Sequence, residues 1–456
     1  MKYCSTRGGA QGLSFRDSLI MGLAPDGGLL VPETLPDVTP ELDAWRQLNF
    51  VQLAQEVIAL FVDDIERSTL DRLIEEAYAT FSHADVVGWQ TLGDVALLEL
   101  FHGPTLAFKD VALQLLGRLF EHVLSQRGEH LNILGATSGD TGSAAIAGVR
   151  GQENIDIFIL YPHGKVSALQ ELQMTSVLDA NVHCVAVNGS FDDCQSLMKE
   201  IFADLPFKRD YRLGAVNSVN WARVMAQIVY YGYASLRSET APAFCVPTGN
   251  FGNVFAAYLA REMGFPIDRL LVATNENDIL ARFFASGEYA RGEVHFTLSP
   301  AMDIQVASNF ERFLYYYLGK DSGRLAAFMN DFQSSGKASI GTPPPQDVMM
   351  ATTIDTEQTL AAIKRAYDEY GYVLDPHTAV GFAACSIFSA QVDAPLVCVA
   401  TAHPAKFPEA VARAIPGLEV THPTLDALRD QPVRRQVIEP EIEAVKNVIR
   451  ESAGSV

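Results

Sequence analysis

From about residue 90 onward, short apolar runs with strand character alternate with longer amphipathic stretches, and this alternation constrains the fold more than any other feature. The strand-like runs are Val95–Leu100, Leu131–Leu134, Asp156–Leu160, Val182–Val187, Phe244–Val246, Leu270–Ala273 and Leu396–Ala400. Helical patterns over 111–124, 143–149, 168–177, 221–235 and 254–263 lie between most of them. Neighbouring parallel strands need a crossover of a dozen or more residues, usually a helix. The pattern therefore predicts an α/β fold with open, mostly parallel sheets flanked by helices.

Residues 1–88 read differently. A polar start and a turn-rich stretch from Pro25 to Pro40 precede two helical patterns, 50–61 and 70–81. The expectation is a small, mostly helical N-terminal unit followed by an α/β region over 89–456. Residues 321–356, with Gly341-Thr342-Pro343-Pro344-Pro345 inside, read as a long insertion.

Charge excludes some partners. The chain carries 34 Lys+Arg against 55 Asp+Glu, a formal net charge of −21. Such a field repels nucleic acid and anionic membranes. No apolar run approaches the roughly 20 residues of a membrane span. The six cysteines show no CxxC pair, which fits free thiols in a reducing compartment, so a cytoplasmic protein is expected. No HExxH, zinc-spaced Cys/His set or Gly-x-Ser-x-Gly occurs, so no metal site is expected.

One lysine sits in an unusual place. Ala112, Leu116, Phe120 and Val123 share a helix face, and counting back three residues puts Lys109 on the same apolar stripe, near the helix start. Burial and the positive end of the helix both lower a lysine pKa and favour the nucleophilic amine. The same spacing also suits a lysine that snorkels to water.

Two strands end in glycine-rich loops. After Phe244–Val246 comes Pro247-Thr248-Gly249-Asn250-Phe251-Gly252-Asn253, then a helix. Its backbone donors and helix N-terminus suit a phosphate, without the lysine of a P-loop or the spacing of a dinucleotide fold; an ordinary strand-to-helix turn looks the same. After Leu131–Leu134 comes Gly135-Ala136-Thr137-Ser138-Gly139-Asp140-Thr141-Gly142-Ser143. Its hydroxyls and carboxylate stand where open α/β sheets bind ligands, and Asp140 or Thr141 would also serve as a helix cap. Two further polar segments are Asn217-Ser218-Val219-Asn220-Trp221-Ala222-Arg223 and Thr401-Ala402-His403-Pro404-Ala405-Lys406-Phe407.

Taken together, the chain resembles the threonine synthases, which are pyridoxal-phosphate enzymes of fold type II, built like the tryptophan synthase β chain. The resemblance is carried by Tyr3-Cys4-Ser5-Thr6-Arg7-Gly8, Pro25-Asp26-Gly27-Gly28-Leu29, Pro104-Thr105-Leu106-Ala107-Phe108-Lys109-Asp110 and 401–407, and it runs over nearly the whole chain. It implies a smaller α/β subdomain over about 100–210 and a larger one over 211–456. It also implies the cofactor pyridoxal 5′-phosphate. Lys109 would hold it covalently, Gly249, Asn250, Phe251, Gly252 and Asn253 would bind its phosphate, and Thr401 would meet its pyridine nitrogen.

The implied reaction converts O-phospho-L-homoserine and water to L-threonine and phosphate, with Lys109 as the mobile base. Ser138, Asp140 and Thr141 would bind the substrate carboxylate. Related enzymes often carry Asn where Asp140 stands, so Asp140 needs either a proton or a cationic neighbour there. Candidate cations for the substrate phosphate are Lys165, Arg223 and Lys406, with Ser167, Ser218 and Asn220 as neutral donors. The expected state is a monomer or small homo-oligomer. An O-phosphohomoserine phospho-lyase giving 2-oxobutanoate, a hydroxy-amino-acid dehydratase, or a binding protein on the same scaffold are the alternatives.

Overall fold

The computed structural model describes residues 1–137, 139–215 and 218–452. Two open sheets organise them. The large sheet has six strands in the order Met349–Thr353, Leu270–Thr274, Ala243–Pro247, Leu396–Ala400, Val95–Glu99 and Gly88–Leu92. All neighbours run parallel except the last pair, which is antiparallel. The small sheet has five parallel strands in the order Gln436–Ile438, Val182–Val187, Ile155–Pro162, Leu131–Ala136 and Leu213–Gly214.

The central strands explain their own legibility. Every residue of Ala243–Pro247, Leu270–Thr274, Leu396–Ala400 and Ile155–Pro162 is buried, because helices cover both faces of each sheet. The helix Trp221–Arg237 is buried at every residue from Trp221 to Leu236, its polar Arg223 and Gln227 included, so other elements enclose it on all sides. It shares one core with the helix Lys109–Arg127 and with the N-terminal helices Phe50–Ala59 and Arg67–Tyr78. The N-terminal unit also contains a short antiparallel pair, Tyr3–Ser5 against Leu30–Pro32.

Three expectations need correction. The segment 321–356, expected as a long insertion, is built into the fold on both sides. It contains the helix Ser322–Ser335, a strand Lys337–Ser339 paired with Glu288–Ala290, and the edge strand of the large sheet, Met349–Thr353. Leu213–Gly214 pairs with Leu131–Ala136 and so belongs to the small sheet. The end of the chain also leaves the large unit: Gln436–Ile438 covers the open edge of Val182–Val187, and Val445, Val448 and Ile449 of the helix Ile442–Ser452 pack in the core of the small sheet. A division at about residue 210, with everything after it in the larger unit, therefore does not match the sheets.

The loops that matter all leave carboxyl ends of strands. Residues 100–108 follow Val95–Glu99, 137–139 follow Leu131–Ala136, 248–251 follow Ala243–Pro247, and 401–407 follow Leu396–Ala400. Open α/β sheets bind ligands at that end. No helix among the described residues is long and apolar enough to cross a membrane.

Candidate active site

The turn before Lys109 is built by one aspartate. The Thr105 backbone N–H donates to Asp110 Oδ2 at 2.8 Å, and the Thr105 hydroxyl donates to Asp110 Oδ1 at 2.7 Å. Gly103 passes so close that a Cβ there would stand 2.4 Å from Asp110 Cβ. Leu106 turns with φ +60°, a conformation L-residues seldom adopt. The turn is then strapped to the 401–407 loop: Phe108 N donates to Thr401 O at 2.8 Å, and His403 N to Leu106 O at 3.1 Å. The result places Lys109 at the first position of its helix, with a side chain only 10% exposed. Burial lowers its pKa. Asp140 opposes that, and the charges of Lys406 and Arg223 reinforce it.

The 137–142 loop is capped from within. Thr137 Oγ accepts from Gly139 N at 3.1 Å and from Gly142 N at 3.0 Å, so neither Asp140 nor Thr141 is the helix cap. Gly139, at φ +148°, leaves no room for a Cβ, which would meet Gln170 Oε1 at 2.5 Å. The carboxylate of Asp140 is thereby free to face other groups. Its Oδ1 accepts from Lys406 Nζ at 2.9 Å and from Gln170 Nε2 at 3.0 Å, and its Oδ2 lies 3.7 Å from Lys109 Nζ. Burial alone would raise the Asp140 pKa, but the charges of Lys406 and Lys109 outweigh it and hold the carboxyl well below the usual range.

The 249–253 loop has the geometry of an anion cradle. Phe251 adopts φ +64°, and Gly252 opens the helix Gly252–Glu262. The amides of a first helical turn have no intrahelical partner and face outward along the positive end of the helix. A Cβ at Gly249 would meet Ala301 O at 2.7 Å and Met302 Cα at 3.1 Å, so the backbone is bare there by necessity. Asn253 Oδ1 is taken by the hydroxyls of Tyr230 and Tyr231, whereas its Nδ2 is buried without a partner. These donors and this bare backbone suit a phosphate monoester. Thr401 is buried nearby in the fold, its N–H donating to Thr378 Oγ at 3.0 Å; the Thr378 hydroxyl in turn donates to Asp375, which also accepts from His377 N at 2.9 Å.

The candidate substrate residues divide. Arg223 is 5% exposed on the first turn of its helix, and its Nε and Nη1 are buried without partners. Burial pushes its pKa down to about 10. Ser218 Oγ lies 2.7 Å from Ser308 Oγ, and Ser308 Oγ donates to Asn250 Oδ1 at 3.2 Å, so Ser218 is tied to the cradle. Thr141 is half-buried beside Asp140. Ser138 and Asn217 lie outside the described residues.

Three expectations fail locally. Lys406 is 1% exposed and its ammonium is shared between Asp140 and Thr105 O, at 2.6 Å from the latter, so it serves as counter-ion rather than as a free cation. Asn220 spends its amide on the N-cap bond from Ala222 N and on a 3.0 Å bond to Leu19 O. Lys165 is exposed on the turn after Ile155–Pro162, and the charge it influences is Asp193, outside this group. The residues that sequence reasoning missed are Thr105, Asp110, Gln170, Asn309 and Arg312. Only the first two carried a signal, as parts of the Pro104–Asp110 motif. Among the described residues no cluster of His, Cys, Asp or Glu is placed to hold a metal ion.

Comparison with known proteins agrees with this geometry. Three family descriptions match in succession: "Threonine synthase N terminus" over residues 2–78, "Pyridoxal-phosphate dependent enzyme" over 91–327, and "Threonine synthase, C-terminal" over 378–449. A threonine synthase of Pseudomonas aeruginosa is 49% identical over 423 residues, covering 91% of this chain and 90% of its own. The chain belongs to the threonine synthase family.

A family member from Schizosaccharomyces pombe is 42% identical over 91% of this chain and 89% of its own. Among solved structures, a PLP-bound threonine synthase from Brucella melitensis superposes with a TM-score of 0.96 at 45% identity, covering 99% of each chain. A yeast threonine synthase superposes with 0.94 at 39% identity, covering 99% of this chain and 98% of its own. The expected α/β pyridoxal-phosphate fold and the expected family both hold. The cofactor is pyridoxal phosphate.

Proposed function

We propose that the protein converts O-phospho-L-homoserine and water to L-threonine and phosphate at the carboxyl ends of its two sheets, with the following division of labour. When bound, pyridoxal phosphate supplies the electron sink for carbanions at the substrate Cα and Cβ. The 249–253 backbone amides would hold its phosphate, Lys109 would anchor it covalently, and Thr401 would offer a neutral hydroxyl to its pyridine nitrogen.

Lys109, once freed from its anchoring role, moves protons among the substrate Cα, Cβ and Cγ. Its lowered pKa makes the neutral amine, the form able to take a proton, more accessible. Asp140 stays ionised against Lys406 and repels a second carboxylate. The substrate carboxylate therefore binds Ser138, Thr141 and the amides of the helix Asp140–Val149 rather than the Asp140 side chain.

The observation that carries the phosphorylated substrate is Arg223. A guanidinium buried with Nε and Nη1 unpartnered is costly unless an anion completes it. A phosphate dianion supplies two charge-assisted bonds, with Ser218 as a neutral donor. All of these side chains belong to one chain, so the reading suits a monomer or a small homo-oligomer. Six buried free thiols support a reducing, cytoplasmic setting.

Product analysis tests the reading. O-phospho-L-homoserine is expected to give threonine and phosphate in equal amounts, and unphosphorylated homoserine no turnover. Accumulation of 2-oxobutanoate and ammonia instead would establish an elimination that stops early.

A further inference from the structure

One guanidinium joins three parts of the chain behind this site. Arg312, in the helix Phe310–Tyr317, is fully buried. Its Nε and Nη2 donate to Leu30 O at 3.1 and 2.8 Å, in the N-terminal unit. Its Nη2 also donates to Val219 O at 2.6 Å, between Ser218 and Asn220. Its Nη1 donates to Asn309 Oδ1 at 2.6 Å. Asn309, itself fully buried, then donates twice to Asn250 O in the phosphate cradle, from its backbone N at 3.0 Å and from its Nδ2 at 3.1 Å. The neighbouring Glu311 accepts from Thr6 Oγ at 2.7 Å and from Arg7 Nε and Nη2 at 3.0 and 2.7 Å. The N-terminal Ser-Thr-Arg motif therefore grips the same helix.

Orientation follows from these bonds. Because Arg312 Nη1 is a donor, Asn309 must present its Oδ1 to it and its Nδ2 to Asn250. The amide of Asn309 is thus set in one orientation by Arg312, and the Asn250 carbonyl is committed to Asn309 through both of its bonds. A carbonyl so engaged by two donors is held in place and does not compete with the loop amides for an anion.

We propose that Arg312, acting through Asn309, is a positioning residue that aligns the cofactor-phosphate cradle with Ser218, the neutral donor assigned above to the substrate phosphate. The proposal rests on the assignment of 249–253 as the cradle. It predicts an effect specific to the phosphate group. Residues that merely held the fold together would weaken binding of the cofactor with or without its phosphate.

The test compares binding of pyridoxal 5′-phosphate and of pyridoxal to the wild type, Asn309→Ala and Arg312→Lys. Asn309→Ala is expected to weaken pyridoxal 5′-phosphate by about ten-fold, as for a lost pair of buried bonds, and to change pyridoxal by less than about two-fold. Arg312→Lys, which cannot replace the fork, is expected to do the same. At saturating cofactor it should also raise KM for O-phospho-L-homoserine with kcat little changed. Equal weakening of both ligands by Asn309→Ala, or no weakening, overturns the proposal, and it does so even if Arg312→Lys fails to fold. A wild type that binds both ligands equally, or a Gly249→Val protein that keeps its preference for the phosphorylated one, would instead overturn the cradle assignment.

Discussion

Asp140 stands between two lysines, with Oδ1 2.9 Å from Lys406 Nζ and Oδ2 3.7 Å from Lys109 Nζ. The two partners are unequal. Lys406 is locked by a second bond to Thr105 O, while Lys109 stays at the longer distance and free to engage another group. A carboxylate this deep persists because a fixed cation is beside it, and the fixed cation leaves the other lysine available for chemistry.

The pair makes a stability prediction. Lys406→Met leaves the Asp140 charge without its closest counter-ion and is expected to cost about 3–5 kcal/mol. Adding Asp140→Asn removes the stranded charge, so the double variant should be more stable than Lys406→Met alone. Denaturant unfolding of the cofactor-free wild type, the two single variants and the double variant decides it, and additive losses would show that the two side chains do not interact.

Arg223 should behave in the opposite sense. Its unpartnered buried charge destabilises the free protein, so Arg223→Gln is expected to leave the melting temperature unchanged or raised. The same change should raise KM for O-phospho-L-homoserine by roughly 10- to 100-fold, as for lost charge-assisted bonds. A lower melting temperature with an unaltered KM would remove Arg223 from the substrate site. Lys165→Gln, at an exposed turn, should alter neither quantity.

The pH dependence of stability follows from the two shifts. The Asp140 pKa is lowered in the folded state, so its contribution is complete above the unfolded value of about 3.9 and is lost as pH falls toward the folded value. The Lys109 pKa is also lowered, so the native state sheds that proton first, and stability rises as pH climbs from the folded value toward about 10.4. Asp140→Asn should flatten the acid limb of a plot of denaturation midpoint against pH. An unchanged acid limb would assign it to other carboxylates.

These effects also mark what was legible in the chain. Strands buried on both faces announced themselves as apolar runs, and Val182–Val187 appears with the expected bounds. The Lys109 helix was legible from spacing, and the turn between Ala243–Pro247 and Gly252–Glu262 from its glycines. Met349–Thr353 was not: an edge strand of mixed composition, after a proline-rich loop, lacks both the alternation and the apolar run. Lys406 was misread for a different reason. A lysine in a polar motif looks like a free cation until the fold shows its partner, and Asp140 lies far away in sequence. Asn220 resembled a ligand because caps and ligand donors use the same residue types. Arg312 gave no local sign, since two of its three acceptors, Leu30 O and Val219 O, come from segments that only tertiary structure brings to it.

The central claim is that Lys109 anchors the cofactor covalently. Borohydride reduction of the cofactor-loaded protein, followed by peptide mass mapping, tests it most directly. The expected result is a single pyridoxyl adduct on Lys109, and loss of both adduct and yellow colour in Lys109→Ala. An adduct on another lysine of the wild type, or a Lys109→Ala protein that keeps a reducible covalent adduct, would contradict the account.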